Sequence, residues 1–386
     1  MDFDPLWLLL GLPIAFALGW LASRVDVLQW KREQRESTQA YLRGLNLLLN
    51  EQQDKAIDTF IEVVQRNPDS TELHFALGNL FRRRGEYERA VRVHEFLLGR
   101  AGLPRAERER AQDALAQDFM KAGLFDRAEA AYRALEGSRF DTDARLALLT
   151  LHERSRDWRT AIDVARKLES SGAASFASRI AHYWCEIAQE AEARQQPQAA
   201  AEALQQARKA DPQSPRPLVM AGRRHARLGE HAAAMQAFGE LLVANSASFN
   251  LVAVEYAASA LACGQGDAAL AQLSTLYRRE PTLDVLAAIA RLDPDPQHRR
   301  DRLTAHLREH PALSAAVPLL ALGAEHGAAP LGAPEAQAIL GALEHGARAL
   351  QRYRCAACGF EAEHHFWQCP GCMAWDSYPP LRVEEA

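Results

Sequence analysis

Four of the six cysteines lie near the C-terminus, as two Cys-x-x-Cys pairs. The first pair is Cys355 and Cys358, and the second pair, after ten intervening residues, is Cys369 and Cys372. A Cys-x-x-Cys turn points two thiolates at one ion, and two such turns complete a tetrahedral site. The alternative is a set of disulfides or free thiols. We predict that the four cysteines hold one structural metal ion, with zinc expected and iron as the other candidate.

The other reactive side chains form no catalytic arrangement. The sequence contains no Gly-x-Ser-x-Gly elbow, no glycine-rich phosphate loop and no His-Glu-x-x-His motif. His364 and His365 lie between the cysteine pairs, and we expect them at the surface because four cysteines already complete a tetrahedron. Cys185 and Cys263 lie in helical segments, where we expect small buried hydrophobic residues. We therefore predict that the protein is not an enzyme.

The composition indicates a large, mostly helical protein. With 386 residues the chain has room for more than one domain. Alanine and leucine dominate and β-branched residues are sparse, which favours helices. The formal net charge of −5 argues against a general polyanion binder, so we expect no nucleic-acid partner.

An uncharged segment near the N-terminus has the length of a membrane span. It runs from Pro5 to Ser23, and as a helix it would cover about 28 Å, close to the thickness of the hydrocarbon core. Trp7 and Trp20 lie near its ends, where interfacial aromatic residues are typical. The alternative, a cleaved signal peptide, lacks its basic n-region here. We predict a retained transmembrane anchor at residues 1–23.

Basic residues follow this segment and none precedes it. Arg24, Lys31, Arg32 and Arg35 lie in residues 24–40, which we interpret as a juxtamembrane segment. The positive-inside rule places the N-terminus outside and the bulk of the chain in the cytoplasm. Paired Cys-x-x-Cys motifs agree, because a reducing compartment favours metal ligands over disulfides.

Residues 41–313 read as helices with an internal period. Gly44 and Gly78 are 34 positions apart, and so are Ala56 and Ala90. The same frame of small residues and prolines recurs at Pro68, Ala188, Ala200, Pro212, Gly222, Ala234, Ala257, Ala269 and Pro281. This period resembles the tetratricopeptide repeat, in which small residues let two helices approach and large ones fill the space between repeats. An unrelated helical bundle is the alternative, but it would not repeat the period.

The repeats differ in clarity. Two looser units contain Phe119 to Tyr132 and Leu146 to Leu168, and the stretch from Asp284 to Leu313 has lost the small-residue frame. Repeat arrays of this kind bind protein segments in a concave groove. Groove-facing positions in the frame are Asn79, Arg82, Arg83, Lys121, Arg223 and Arg227. Their basic character suits an acidic partner, and the alternative is a solvated helix face.

A junction and a small module end the chain. Residues 314–352 contain clustered proline, glycine and alanine, and we expect one helix there, from about Pro334 to Gln351. Residues 353–380 are too few for a core of their own, so metal binding would supply most of their folding free energy. Some of the module's aromatic residues are expected to pack on the last helices of the solenoid. The fold class is thus all-α, with a transmembrane helix, a repeat solenoid and a small β-rich four-cysteine metal ribbon.

The order of these segments, with the terminal motif YRCAACGF…FWQCPGCMAWDSY, resembles the lipopolysaccharide assembly protein B family over the whole chain. The terminal module carries most of this resemblance, and it is described as rubredoxin-like in that family. The resemblance implies a non-enzymatic adaptor in the bacterial inner membrane that restrains lipopolysaccharide synthesis. The implied partners are a membrane-anchored AAA+ metalloprotease, the deacetylase that commits cells to lipid A, and lipopolysaccharide-sensing and transport membrane proteins.

Three other functions fit parts of the sequence. A generic membrane-tethered scaffold for another complex fits the same features. A rubredoxin-type electron carrier fits the cysteines, although no second redox centre accompanies them. A nucleic-acid-binding ribbon is disfavoured by the acidic balance of the chain. The sequence leaves homo-oligomerisation open.

Overall fold

The computed structural model describes residues 42, 44, 46–47, 52–66, 68–325 and 333–385. The expected anchor at residues 1–23 and the basic segment at 24–40 lie outside these residues. Within the described residues, every helix is too short or too polar to cross a membrane.

Helices make up most of the described chain. They are α1 (Gln53–Arg66), α2 (Thr71–Arg84), α3 (Tyr87–Leu98), α4 (Arg105–Ala122), α5 (Phe125–Arg133), α6 (Asp141–Ser155), α7 (Trp158–Ser170), α8 (Ala177–Ala193), α9 (Pro197–Ala210), α10 (Arg216–Arg227), α11 (His231–Ala244), α12 (Ser246–Phe249), α13 (Ala253–Ala262), α14 (Gly266–Arg279), α15 (Leu283–Leu292), α16 (Pro296–Glu309), α17 (Leu313–Glu325) and α18 (Ala333–Leu350). Short 3-10 helices cover Asn250–Val252 and Val383–Glu385. The chain divides into two compact units, Met1–Asp157 and Trp158–Ala386.

Close packing between the two helices of a repeat depends on the small residues of the 34-residue frame. A methyl group added at Gly44 would lie 2.6 Å from the Phe60 ring, and one at Gly222 would lie 2.2 Å from the Phe238 ring. No side chain fits at such distances, so glycine is required where an aromatic ring of the second helix crosses the first. The frame alanines are also buried, with Ala56 and Ala234 at 0% exposure.

The first unit contains a buried polar network in addition to its apolar core. His94 occupies the position that Phe60 fills one repeat earlier, and its ring lies against Gly78. Its Nδ1 atom is 2.5 Å from Asp118, which also accepts a hydrogen bond from Arg82 at 2.9 Å. The Asp118 carboxylate is thus satisfied by two neighbours, whereas the buried His94 Nε2 atom has no hydrogen-bond partner among the described residues.

The second unit contains a large apolar core, built from helices α10 to α15. Phe238, Phe249, Leu273 and Ile289 are among its fully buried members. The stretch that has lost the small-residue frame still forms the helices α15 and α16. The helix expected from Pro334 to Gln351 is present as α18, which begins and ends one residue earlier than expected.

The C-terminal module contains little regular structure. Strands β1 (Tyr353–Arg354) and β2 (Glu361–Ala362) pair antiparallel, with Tyr353 opposite Ala362 and Arg354 opposite Glu361. A single bridge joins Gln368 and Trp375. The module was expected to be a β-rich ribbon, but most of it consists of turns. The reason is that its cysteine pairs lie in turns rather than in strands.

Candidate metal centre and its docking surface

The first cysteine pair forms a closed turn after strand β1. The Gly359 N–H donates to the Cys355 carbonyl at 2.9 Å, and the Cys355 N–H donates to the Phe360 carbonyl at 2.9 Å. Gly359 has a φ of +77°, a left-handed conformation that glycine adopts without steric cost. These bonds place Cys355 and Cys358 on the same side of the turn.

The second pair repeats this backbone pattern. The Met373 N–H donates to the Cys369 carbonyl at 2.8 Å, and the Cys369 N–H donates to the Ala374 carbonyl at 2.8 Å. Met373, the residue after Cys372, has a φ of +61° and so corresponds to the glycine of the first turn. The module is thus built from two equivalent turns that face each other.

The four sulphur atoms lie within 4.8 Å of one another. Cys355 and Cys372 are 3.8 Å apart and Cys358 and Cys369 are 3.7 Å apart, whereas a disulfide bond is about 2.05 Å long. A tetrahedron with metal–sulphur bonds of about 2.3 Å has edges of about 3.8 Å. The donor set and its spacing therefore fit one metal ion, and both zinc and iron accept four thiolates in this arrangement.

The surroundings favour a thiolate on the first cysteine of each pair. Hydrogen bonding by Ser377, aided by backbone N–H groups of the turn, lowers the pKa of the Cys355 thiol to about 6. Burial raises the pKa of Cys369, but N–H groups of the second turn outweigh it and lower that pKa. The Phe360 N–H lowers the pKa of Cys358, yet burial and the neighbouring sulphurs raise it to about 12. A cation at the centre would allow all four sulphurs to be anionic.

An aromatic side chain of the module docks on helix α8. The Trp375 ring stacks on the His182 ring with centroids 4.7 Å apart, and it meets the Tyr183 ring edge-on at 5.9 Å. The guanidinium carbon of Arg216 lies 5.9 Å from the centroid of the Trp375 ring. Aromatic and cationic groups thus surround the indole.

The next residue adds a charged contact to the same helix. The Asp376 carboxylate lies 2.8 and 2.9 Å from His182 Nε2, and it accepts a hydrogen bond from the Ser178 hydroxyl at 3.1 Å. On the other side of the ring, His182 Nδ1 lies 3.5 Å from the Arg216 guanidinium, which can only donate. His182 Nδ1 is therefore the acceptor, and Nε2 carries the hydrogen that bonds to Asp376. Burial raises the pKa of Asp376, but the hydrogen bonds and the nearby Arg216 charge lower it overall.

The tail beyond the module reaches the later helices. Arg382 pairs with Asp284 at 3.1 Å, and its guanidinium lies over the Tyr353 ring at 4.4 Å. The Glu385 carboxylate accepts the N–H of Leu283, the first residue of α15. The Glu384 carboxylate accepts N–H groups at the start of α17. The tail therefore caps the N-termini of helices α15 and α17 with side chains from a distant part of the sequence.

The expectation that some module aromatics face the solenoid is met by two of them. Trp375 and Trp367 pack on the helices, Trp367 joining the core of α10 to α15. Tyr378 lies in the module's own small core, whereas Phe360 and Phe366 stay exposed. The docking surface is wider than the last helices, because it begins at α8.

One expectation about the histidines is wrong. His364 is exposed, as expected, but His365 is largely covered by Tyr353 and Trp367, and its Nε2 lies 3.1 Å from the Tyr378 carbonyl. Burial lowers the pKa of His365, which favours the neutral ring. The sequence places both histidines in one loop and does not show which one turns inward.

The other two cysteines differ in their surroundings. Cys185 is fully buried, as expected, and burial raises the pKa of its thiol to about 12. Cys263, at the end of α13, is only half-buried.

The groove positions proposed from the repeat frame are divided between the two units. Asn79, Arg82, Arg83 and Lys121 belong to the first unit, and Arg223 and Arg227 belong to the second. Arg82 is engaged in the buried network with Asp118 and also donates to Asn79 at 2.6 Å. Arg83 and Lys121 are exposed.

The two groove arginines of the second unit both have acidic partners. Arg223 pairs with Glu255 at 3.1 Å and Arg227 with Glu192 at 2.6 Å. Both arginines line a cavity of about 930 Å³ whose other wall includes Trp367 of the module. Much of the positive charge expected there is therefore balanced locally.

Ser178, His182 and Asp284 were not expected to take part in the site. Each lies on a repeat helix and meets the module or the tail across 98 to 198 positions of sequence. No local spacing marks such contacts, so only the folded chain shows them.

Comparison with known proteins agrees with this architecture. Residues 353–380 match the rubredoxin metal binding domain, and residues 41–93 and 185–248 match the tetratricopeptide repeat. The chain is therefore a tetratricopeptide-repeat protein with a C-terminal rubredoxin-type metal-binding module. It is 32% identical over 390 residues to lipopolysaccharide assembly protein B of Escherichia coli strain K12, covering 97% of this chain and 98% of that protein. The chain belongs to the lipopolysaccharide assembly protein B family.

Other comparisons are more distant. Lipopolysaccharide assembly protein B of Haemophilus influenzae is 27% identical over 399 residues, covering 98% of both chains. Among solved structures, the C-terminal part of a TPR repeat-containing protein from Cytophaga hutchinsonii matches with a TM-score of 0.34 and 14% identity, covering 68% of this chain and 98% of that chain. At that TM-score the structural likeness adds nothing to the assignment.

Proposed function

We propose that the protein is a membrane-anchored adaptor that regulates lipopolysaccharide synthesis at the bacterial inner membrane. The observation that carries this proposal is the similarity to lipopolysaccharide assembly protein B over 97% of the chain, which includes both the repeats and the four-cysteine module. Stacked helix pairs offer extended surfaces for binding other proteins, as an adaptor requires.

In the proposed mechanism, the adaptor brings the lipid A deacetylase to a membrane-anchored AAA+ metalloprotease, which degrades it. Residues 1–23 form the anchor, with the N-terminus in the periplasm and residues 24–40 at the cytoplasmic surface. Anchoring confines adaptor and protease to one plane and so raises their effective concentration. Lipopolysaccharide-sensing and transport membrane proteins would contact the same adaptor and link synthesis to assembly.

The proposed division of the cytoplasmic part is a solenoid at 41–313, a junction at 314–352 and a metal module at 353–380. Cys355, Cys358, Cys369 and Cys372 would hold one structural metal, as their spacing supports. When bound, the metal supplies folding free energy to a segment with few core residues. The exposed groove residues Arg83 and Lys121 are candidates for contacting a partner.

The direct test is the half-life of the deacetylase in cells with and without this protein. We expect a several-fold longer half-life without it, because the protease would lose its adaptor. An unchanged half-life would contradict the proposal. Capture of other proteins, without the protease or the deacetylase, would instead favour a membrane-tethered scaffold for another complex.

Variants separate the roles of the module and the anchor. Cys355→Ser with Cys372→Ser should abolish control of the deacetylase, whereas the matched change Cys263→Ser, outside the metal site, should leave it intact. A chain without residues 1–23 should fold but regulate poorly. Normal regulation by either altered chain would show that the module or the anchor is dispensable.

A further inference from the structure

Two consecutive residues of the module pack on helix α8 and near the start of α10, as a short peptide ligand would. We call Trp375 and Asp376 the anchor dipeptide. We call the side chains that receive it the receptor site, which consists of Ser178, His182, Tyr183 and Arg216. The indole stacks on an imidazole and lies near a guanidinium, and the carboxylate accepts two hydrogen bonds.

The receptor site is held in place by contacts that do not involve the module. Arg216, only 3% exposed, pairs with Glu186 at 2.6 Å. The Tyr183 ring stacks on the Trp158 ring with centroids 5.8 Å apart. Because these partners belong to helices α7 and α8, we expect the receptor site to stay organised when its occupant leaves.

The anchor dipeptide, by contrast, depends on the metal-binding turns. Asp376 has a φ of +50°, a left-handed conformation that is uncommon outside glycine, asparagine and aspartate, and its N–H donates to the Trp367 carbonyl at 2.9 Å. The following residue, Ser377, accepts the Ala356 N–H at 2.7 Å. The first bond closes the segment around the second cysteine pair, and the second bond joins that segment to the first cysteine turn, so this conformation requires a folded module.

We propose that the receptor site recognises an aromatic residue followed by a carboxylate, and that the chain's own anchor dipeptide fills it only while the module holds its metal. Loss of the metal would release the anchor and open the receptor site to a partner protein's segment of the same chemistry. The tethered anchor excludes such a segment from the metal-loaded protein, because its effective concentration is high. This proposal does not rest on the regulatory function proposed above.

The recognition chemistry predicts which segments bind. An indole provides the large flat face that stacks on His182, and an aspartate matches the His182 Nε2 and Ser178 hydroxyl donors. An asparagine would lose the charge that strengthens both hydrogen bonds. A segment without the ring would lose the stacking contact.

A fluorescein-labelled peptide of residues 373–379 tests the receptor site by fluorescence anisotropy with the full-length protein. We expect saturable binding to the Trp375→Ala, Asp376→Ala variant, whose receptor site is free, and none to the metal-loaded native protein. The peptide carrying Asp376→Asn should bind the variant about tenfold more weakly. Adding His182→Ala to the variant should abolish binding. Failure of the peptide to bind the free site, or equal binding to the native protein, would overturn the proposal.

Hydrogen exchange tests the role of the metal without any peptide. Removal of the metal by a chelator, verified by metal analysis, should increase amide exchange in residues 177–193 and 216–227. The Cys355→Ser, Cys372→Ser variant should show the same increase, while residues 71–98 of the other unit serve as the internal control. Unchanged exchange in both helices after metal loss would show that the anchor stays docked without metal, which would refute the gating step.

Discussion

Gly359 and Met373 occupy equivalent positions in the two cysteine turns, yet only one of them is a glycine. Their φ values are +77° and +61°, so both backbones are left-handed. That conformation costs a residue with a side chain about 1–2 kcal/mol. Met373 is 44% exposed, so only part of its side chain is buried in return. The second turn is therefore the more strained of the two.

We predict opposite effects of two substitutions on the metal-loaded protein. Met373→Gly should raise the free energy of unfolding by up to about 1 kcal/mol, because it relieves the left-handed strain. Gly359→Ala should lower it by about 1 kcal/mol, because it introduces the same strain. Thermal unfolding and resistance to a chelator would measure both. A stability loss in Met373→Gly would mean that the methionine side chain contributes more than its backbone costs.

At the residue scale, the sequence predicted chemistry that is encoded locally. The metal ligands were predictable because a Cys-x-x-Cys turn needs only four residues and a hydrogen-bonded backbone. The helix residues that contact the module were not predictable. Nothing in the sequence around His182 indicates that Trp375, 193 positions later, stacks on its ring.

In three helix pairs of the repeats, a glycine in one helix lies against a ring of the next helix. Gly222 in α10 faces the Phe238 ring so closely that a methyl group would lie 2.2 Å from it. Gly239, in α11, has no atom within 4 Å of the position of an added methyl group. The space beside Gly222 excludes any side chain, whereas the space beside Gly239 accepts one.

These glycines provide a matched pair of substitutions. Gly222→Ala should destabilise the second unit by about 1–3 kcal/mol, because the ring or the helix must move. Gly239→Ala should stabilise it by about 0.5–1 kcal/mol, because alanine favours a helix interior. Denaturant unfolding of the two variants would measure both changes. Equal effects would show that the glycine–ring contact does not set the helix spacing.

At the element scale, the 34-residue period was visible because the requirement for small residues recurs in several helix pairs. The stretch from Asp284 to Leu313 lost that frame but kept a helical pattern of buried residues, including Val285, Ile289 and Leu292. The strands of the module were misjudged because each contains two residues. Such short strands have no periodicity to detect, and long-range hydrogen bonds define them.

On the scale of the second unit, the end of the chain stabilises helices that begin much earlier. Glu384 accepts the N–H groups of Leu313 and Ser314, and Glu385 accepts that of Leu283. Carboxylates at helix N-termini satisfy otherwise free N–H groups and interact favourably with the helix dipole. The tail thus replaces caps that the local sequence does not provide.

We predict that Glu384→Ala will lower the stability of the second unit by about 0.5–2 kcal/mol, the usual cost of a lost N-cap. Glu385→Ala should cost less, because burial raises the pKa of Glu385 and so offsets part of its gain. Thermal unfolding would measure the changes, with Glu344→Ala on the exposed face of α18 as the control. Equal stability of the Glu384→Ala and control variants would contradict the capping role.

The distance along the chain between these partners has a consequence for synthesis. Ser178 contacts Asp376, which is synthesised 198 positions later. The N-termini of helices α15 and α17 are covered by Glu385 and Glu384, which are also synthesised much later. Because domains begin to fold from the N-terminus during synthesis, the second unit can be completed only after residues 376–385 have left the ribosome. A nascent chain that still lacks these residues would therefore expose the helix surfaces that they cover in the folded protein.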